Sequence, residues 1–332
     1  MIRIEKLSAL CQGALISLLL ATGLAQAAGT VGSSLPTDFP VIVDASLGKP
    51  LIGFGAAGQV ERVPVIFVHG NNDTPFATAC NPYGRMQAVA QYLADNGYST
   101  SELWGVGYQG DQCDQCDLLA DPTIRSSQAH TAGANVADVG AFIEAVLRYT
   151  QASRVDVVGH SLGVVVVREW LRENPRGLRT VRRIVAIDGA NHGIINCSPS
   201  PLNYWQAPAN GGFTPASALC QELGSPQTPF LLQLNKHEGL ASVRTLVIRN
   251  ADQSFVYFPL QDGLLAPVPA IDSFGNPTDF SGSARQKGAR EIDLTGQGAH
   301  DPFLLSSHLG ILNSPDTWKA TFEFLTQRAA QP

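Results

Sequence analysis

Five residues, Gly159-His-Ser-Leu-Gly163, join two segments of different periodicity. Residues 154–158, Arg-Val-Asp-Val-Val, form a β-branched run suited to a buried strand, and residues 162–173 read as a helix that ends before Asn174-Pro175. A chain that passes from strand to helix in so few residues must turn sharply. Such a turn holds the central serine in a strained backbone conformation with its hydroxyl exposed. Glycines are needed two residues to either side, because a side chain there would run into the neighbouring strand and helix. The pentapeptide alone arises often by chance. At a strand-to-helix junction it marks Ser161 as a candidate nucleophile.

The rest of the chain repeats this alternation. Apolar runs at 63–68, 102–108, 181–187 and 244–248 read as strands, and helical spacing covers 86–96 and 132–149. Strands that alternate with helices imply right-handed βαβ crossovers. The expected architecture is therefore α/β: one mostly parallel central sheet with helices on both faces. The periodicity fails over 194–235 and again over 262–287, where Pro, Gly, Ser and Asn accumulate. The first stretch is expected to be a cap or lid inserted over a site, and the second a surface excursion. No internal repeat or heptad pattern interrupts the single domain expected over 28–332.

The first 27 residues read as an export signal: Arg3 and Lys6, an apolar run over 7–24, then Ala25-Gln-Ala27 with small residues where a signal peptidase cuts. Cleavage after Ala27 would leave an exported chain, extracellular or periplasmic, with no stable membrane insertion. Gln12, Ser17 and Thr22, and the lack of a basic stop signal, weigh against an anchor. Five cysteines then remain, Cys80, Cys113, Cys116, Cys197 and Cys220, an odd number in an oxidising compartment. Cys197 with Cys220 is the first expected disulfide, since the two bracket a Pro- and Gly-rich loop. Cys80 with Cys113 or Cys116 is the second. Cys113-Asp-Gln-Cys116 lacks the second CxxC, the spaced histidines or the strand-then-helix context that zinc or redox chemistry would need. With 22 Lys+Arg against 28 Asp+Glu and no basic block, nothing favours a nucleic-acid partner. Oligomeric state is not legible.

A serine hydroxyl is a poor nucleophile, so a base must take its proton and a carboxylate must hold that base in the right tautomer. Asp252, in the loop three residues beyond the last strong strand, is the first candidate acid, with Asp262, Asp272 and Asp188 as rivals. Asp188 ends the strand next after the nucleophile, which is early for the acid. His300 follows a glycine-rich loop and is the first candidate base. His308, expected on a helix or turn beyond, is the alternative. The oxyanion formed by attack needs preformed N–H donors. Leu162 supplies one, and Asn71, after the His69-Gly70 pair, the other, with His69 shaping the loop.

These residues resemble the α/β-hydrolase superfamily, and within it compact secreted bacterial class 2 lipases and a related extracellular poly(3-hydroxybutyrate) depolymerase. The matching pieces are Pro64-Val-Ile-Phe-Val-His-Gly70, Val155-Asp-Val-Val-Gly-His-Ser-Leu-Gly163, Asp188-Gly-Ala-Asn-His-Gly193, Thr245-Leu-Val-Ile-Arg-Asn-Ala-Asp252 and His300-Asp-Pro-Phe-Leu-Leu-Ser-Ser307. The resemblance implies an α/β-hydrolase fold in which Ser161, Asp252 and His300 are nucleophile, acid and base, and Asn71 and Leu162 form the oxyanion hole. The chain order Ser, Asp, His agrees with that superfamily. The smallest such lipases lack an insertion between Cys197 and Cys220, so an open site is not carried over. The resemblance implies a secreted serine ester hydrolase, lipase or esterase, acting on acyl esters at a lipid or polymer surface. The alternatives are a polyester depolymerase and, in another class, a non-catalytic binding protein on the same scaffold, against which the intact candidate triad speaks. No cofactor or catalytic metal is called for. A structural calcium ion stays open, since no local loop motif would show one.

Overall fold

The computed structural model describes residues 29–327, except 45–46, 72, 80, 82–83, 109–130, 202, 204–205, 207–212, 237, 239–242, 251–256, 260–264, 268–269 and 296–306. The expected export signal, Cys80, Cys113, Cys116, Asp252, Asp262 and His300 lie outside these residues.

The strands in chain order are β1 (Ile52–Phe54), β2 (Val65–Val68), β3 (Leu103–Gly107), β4 (Val155–His160), β5 (Val181–Ile187), β6 (Arg244–Arg249), β7 (Tyr257–Pro259), β8 (Leu265–Pro267) and β9 (Arg290–Asp293). Seven form one sheet in the order β1-β3-β2-β4-β5-β6-β9. Only β1 runs antiparallel to its neighbour; every other pair in this sheet is parallel. β7 and β8 form a separate antiparallel pair. Parallel neighbours require crossovers, which the helices α1 (Met86–Asp95), α2 (Ala132–Thr150) and α3 (Leu162–Glu173) supply. The fold expected from the alternation is the one observed.

Side chains alternate between two cores. Ile66, Val68, Val155, Val157, Ile184 and Ala186 pack with Val139, Phe142 and Ile143 of α2 and Val164 to Val167 of α3. Val65, Phe67, Val158, Val185, Ile187 and Ile248 pack on the other face with Met86, Val89 and Leu93 of α1 and with Phe324 and Leu325 of α8 (Pro315–Thr326). Because both faces are covered, β2 and β4 are buried throughout; β2 reads as an unbroken apolar run, while in β4 the buried Asp156 is paired with Arg182.

The boundaries of α3 and β5 match the sequence reading, and most others shift by one or two residues. The 194–235 stretch differs more: it holds two short helices, α5 (Ala218–Leu223) and α6 (Pro229–Asn235), after α4 (Gly177–Thr180) has led into β5. The hydroxyl of Ser217 accepts from the Cys220 amide, and that of Thr228 from the Leu231 amide, so both helices begin on a side-chain cap. The Cys197–Cys220 disulfide is present, with Cα atoms 5.5 Å apart. Among the described residues no helix is long and apolar enough to cross a membrane.

Candidate active site

Ser161 leaves β4 with φ 52° and ψ −123°, a conformation that L residues avoid. The surroundings hold it there. Its amide donates to the Ile187 carbonyl at 3.0 Å, and its own carbonyl accepts from the Val164 amide at 3.1 Å. A methyl group on Gly163 would lie 2.4 Å from the His69 carbonyl oxygen, so α3 can start beside the end of β2 only with glycine there. On Gly70 it would lie 2.9 Å from the Ser161 Cβ. The segment leaving β2 therefore runs directly alongside the serine, and Asn71 is its next residue. Leu162 opens α3 and is buried. Its amide belongs to the helix N-terminus, where N–H groups lack partners within the helix.

The β2 exit is braced by aromatic and polar contacts. The His69 ring lies flat on Tyr108, with centroids 4.2 Å apart. Tyr108 Oη donates to the His69 carbonyl at 2.7 Å, and His69 Nδ1–H donates to the Gly70 carbonyl at 2.7 Å. Burial lowers the pKa of His69, in spite of the nearby Asp73 carboxylate, so the ring serves as a neutral brace.

Two other side chains meet at this sheet edge. Asp188 follows the last residue of β5, has φ 44°, and donates its amide to the Ile248 carbonyl at 2.8 Å. One of its carboxylate oxygens accepts the Asn250 amide at 3.3 Å; the other accepts His308 Nδ1–H at 2.5 Å. His308 stands on the short helix α7 (Ser307–Gly310) and keeps 14% of its side chain exposed, against 2% for Asp188. The histidine of the pentapeptide completes the cluster. His160 Nε2–H donates to the His308 carbonyl at 2.9 Å, and the two rings lie 4.6 Å apart. Since His160 immediately precedes Ser161, the Asp188–His308 pair is tied to the turn that carries the serine.

Gly70, the residue before Asn71, runs beside Ser161, and Leu162 follows Ser161 at the start of α3. The carboxylate and imidazole that the structure pairs are Asp188, a rival that the sequence placed behind Asp252 and Asp262 because it comes early in the chain, and His308, the alternative base; Asp252, Asp262 and His300 lie outside the described residues. Asp272, another rival, has a different task. It accepts from Ser225 Oγ at 2.7 Å and from the amides of Phe274 and Asn276, and so fastens a turn to the insertion. The signal for Asp188 was its place at the very end of a seven-residue buried strand, at the edge where Ser161 also emerges. Among the described residues, no group of three or more His, Cys, Asp or Glu could hold a metal ion.

The family model described as Lipase (class 2) matches residues 62–258. Among solved structures, the lipase B of Aspergillus fumigatus superposes with TM-score 0.50 at 18% identity, over 90% of this chain and 56% of the other. The mature form of the Bacillus licheniformis lipase BlEst2 superposes with TM-score 0.50 at 16% identity, over 83% of this chain and 98% of that one. The chain thus spans little more than half of the Aspergillus enzyme. At these identities the likeness is one of fold. No curated protein sequence matches the chain.

Proposed function

The chain belongs to the class 2 lipase family, and we propose that it is a carboxylic-ester hydrolase in which Ser161, His308 and Asp188 work as nucleophile, base and orienting acid. The observation that carries this reading is the Asp188–His308 hydrogen bond, fastened through His160 to the turn holding the strained Ser161. A carboxylate can only accept, so His308 Nδ1 carries the proton and its Nε2 is left with a lone pair. That is the tautomer a general base needs.

In this mechanism Ser161 Oγ attacks the ester carbonyl while His308 Nε2 takes its proton. The buried Asp188 carboxylate stabilises the imidazolium that forms. The amides of Leu162 and Asn71 receive the oxyanion, helped by the positive end of the α3 dipole. The imidazolium then returns the proton to the leaving alcohol, and water releases the acid by the same steps in reverse order of roles.

The resemblance assigned acid and base to Asp252 and His300, and four substitutions separate the two assignments. With a serine-reactive fluorophosphonate and a soluble acyl ester, Ser161→Ala abolishes labelling and turnover. His308→Ala and Asp188→Asn lower kcat by about 10³- to 10⁴-fold, while His300→Ala and Asp252→Asn stay near wild type. The opposite pattern transfers the roles to Asp252 and His300. Absence of labelling in every form, wild type included, leaves the non-catalytic binding protein.

Acyl esters of lipids are the proposed substrates, and amorphous polyhydroxybutyrate granules the alternative. Comparing the granules with a long-chain triglyceride emulsion distinguishes them, and turnover of short soluble esters alone would defeat both. Export is part of the proposal, supported by the Cys197–Cys220 disulfide, a bond that persists in oxidising compartments. N-terminal sequencing of the exported chain is expected to start at Ala28.

A further inference from the structure

We propose that His160 is a positioning residue for the base: by donating its Nε2 proton to the His308 carbonyl it locks the segment bearing the base to the turn bearing the nucleophile. The inference rests on His308 being that base.

The two residues are 148 positions apart in the chain, and this hydrogen bond, at 2.9 Å, links them across the sheet edge. Distance and ring contact act together. The imidazole planes are tilted by 38° with centroids 4.6 Å apart, so the His160 ring limits how far His308 can swing while its N–H fixes the height of the His308 backbone. Asp188 holds the far nitrogen of His308. The base is then restrained through its own ring and through its backbone. Small displacements of a reacting group are expensive in rate, so such restraint has catalytic value.

The choice of histidine follows from its surroundings. His160 is 1% exposed, and its Nδ1, free of the proton that Nε2 carries, is buried with no hydrogen-bond partner. A methyl on Gly70 would sit 3.0 Å from that nitrogen, so there is no room for a larger neighbour that could pair with it. A buried unpaired acceptor is a destabilising feature that a residue kept only for packing would not need. Protonation of Nδ1 is opposed by burial, and by the neighbouring His308, Arg85 and His69. His160 therefore remains a neutral donor while His308 cycles between its two charge states.

The test uses three substitutions in the full chain. Glutamine can place an N–H where His160 Nε2 stands; phenylalanine keeps the ring and removes the donor. His160→Phe is expected to lower kcat about 10- to 100-fold with KM nearly unchanged, and to weaken the downfield proton resonance of the His308–Asp188 hydrogen bond. His160→Gln is expected to recover most of kcat and the resonance. In a His308→Ala background, His160→Phe should have no further effect on the residual fluorophosphonate labelling rate. Wild-type kcat and resonance in His160→Phe would overturn the proposal. Equal losses in the Gln and Phe variants would also overturn it, because they would reduce His160 to packing. If His308→Ala itself keeps full activity, the assignment of the base fails first, and the double variant makes that failure visible separately. Should His160→Phe not fold, the Gln variant and its resonance decide alone.

Discussion

Ser161 occupies a backbone conformation that glycine adopts without penalty, so its side chain is kept there against the local conformational preference. Ser161→Gly is accordingly expected to abolish activity and to raise stability by about 1 kcal/mol, read from the denaturant midpoint. A midpoint that falls would mean that the turn is not strained. Gly163→Ala should do the reverse of stabilising. Its methyl would press on the backbone oxygens of Val68 and His69, which belong to a buried strand end and cannot move aside, and the loss should be about 1–3 kcal/mol. The strained turn at Ser161 was legible in the sequence because its requirements are local: glycines at fixed offsets between a β-branched run and a helix. The Asp188–His308 pair was not legible, since 120 residues separate its members and only the sheet edge brings them together.

Elements whose periodicity is long were readable almost to the residue, as α3 and β5 show. Short ones were not. β1 is three residues long and is defined by its antiparallel partner β3, while α5 and α6 have only six and seven residues, too few to display a helical stripe. What holds α5 in place is mixed. Glu222 accepts the amides of Ala132 at 2.6 Å and Gly133 at 3.3 Å, the first two residues of α2, and so connects the 194–235 stretch to α2. Burial, with a contribution from the Glu169 carboxylate, outweighs those two donors and raises the Glu222 pKa from 4.5 to about 7. The folded chain then holds this proton to higher pH than the unfolded chain does. The group's contribution to stability is greatest below pH 4.5 and is lost as pH rises towards 7. Glu222→Gln stays neutral and keeps an acceptor for the Ala132 amide. Its stability relative to wild type should therefore climb between pH 5 and pH 8, by about 1–3 kcal/mol, as measured by urea midpoints. A pH-independent difference would contradict the buried carboxylate. Reduction of the disulfide that closes the same insertion, with a sequence separation of 23, should lower stability by about 3 kcal/mol.

At the scale of the whole molecule, a buried cation joins the parts that carry the candidate site. Arg168 lies on α3, 4% exposed, seven residues beyond Ser161. Its guanidinium donates to Asn191 Oδ1 at 2.8 Å, in the loop that follows Asp188, and to Asn235 Oδ1 at 2.9 Å, at the end of α6 in the insertion. Asn235 returns a hydrogen bond to the Asn191 carbonyl, and Asn191 donates to the Ala284 carbonyl in the later excursion. Glu238 lies 3.9 Å from the guanidinium and 3.4 Å from His192. Burial lowers the Arg168 pKa to about 10, which leaves it charged throughout the neutral range. α3, the Asp188 loop and α6 thus share one ion, and Asn191 extends the network to the Ala284 carbonyl. Removing that ion strands the side-chain acceptors of Asn191 and Asn235, on the Asp188 loop and at the end of α6, and Arg168→Ala should destabilise the fold by about 3–5 kcal/mol. Where that loss falls is the sharper test. If Arg168 is the junction, hydrogen exchange in the variant should accelerate first at the amides of residues 189–194 and of α6, with the central strands β2 and β4 losing protection only as far as global stability drops. Uniform acceleration would mean that the insertion is held by its apolar contacts and its disulfide, and that the cation serves only the core.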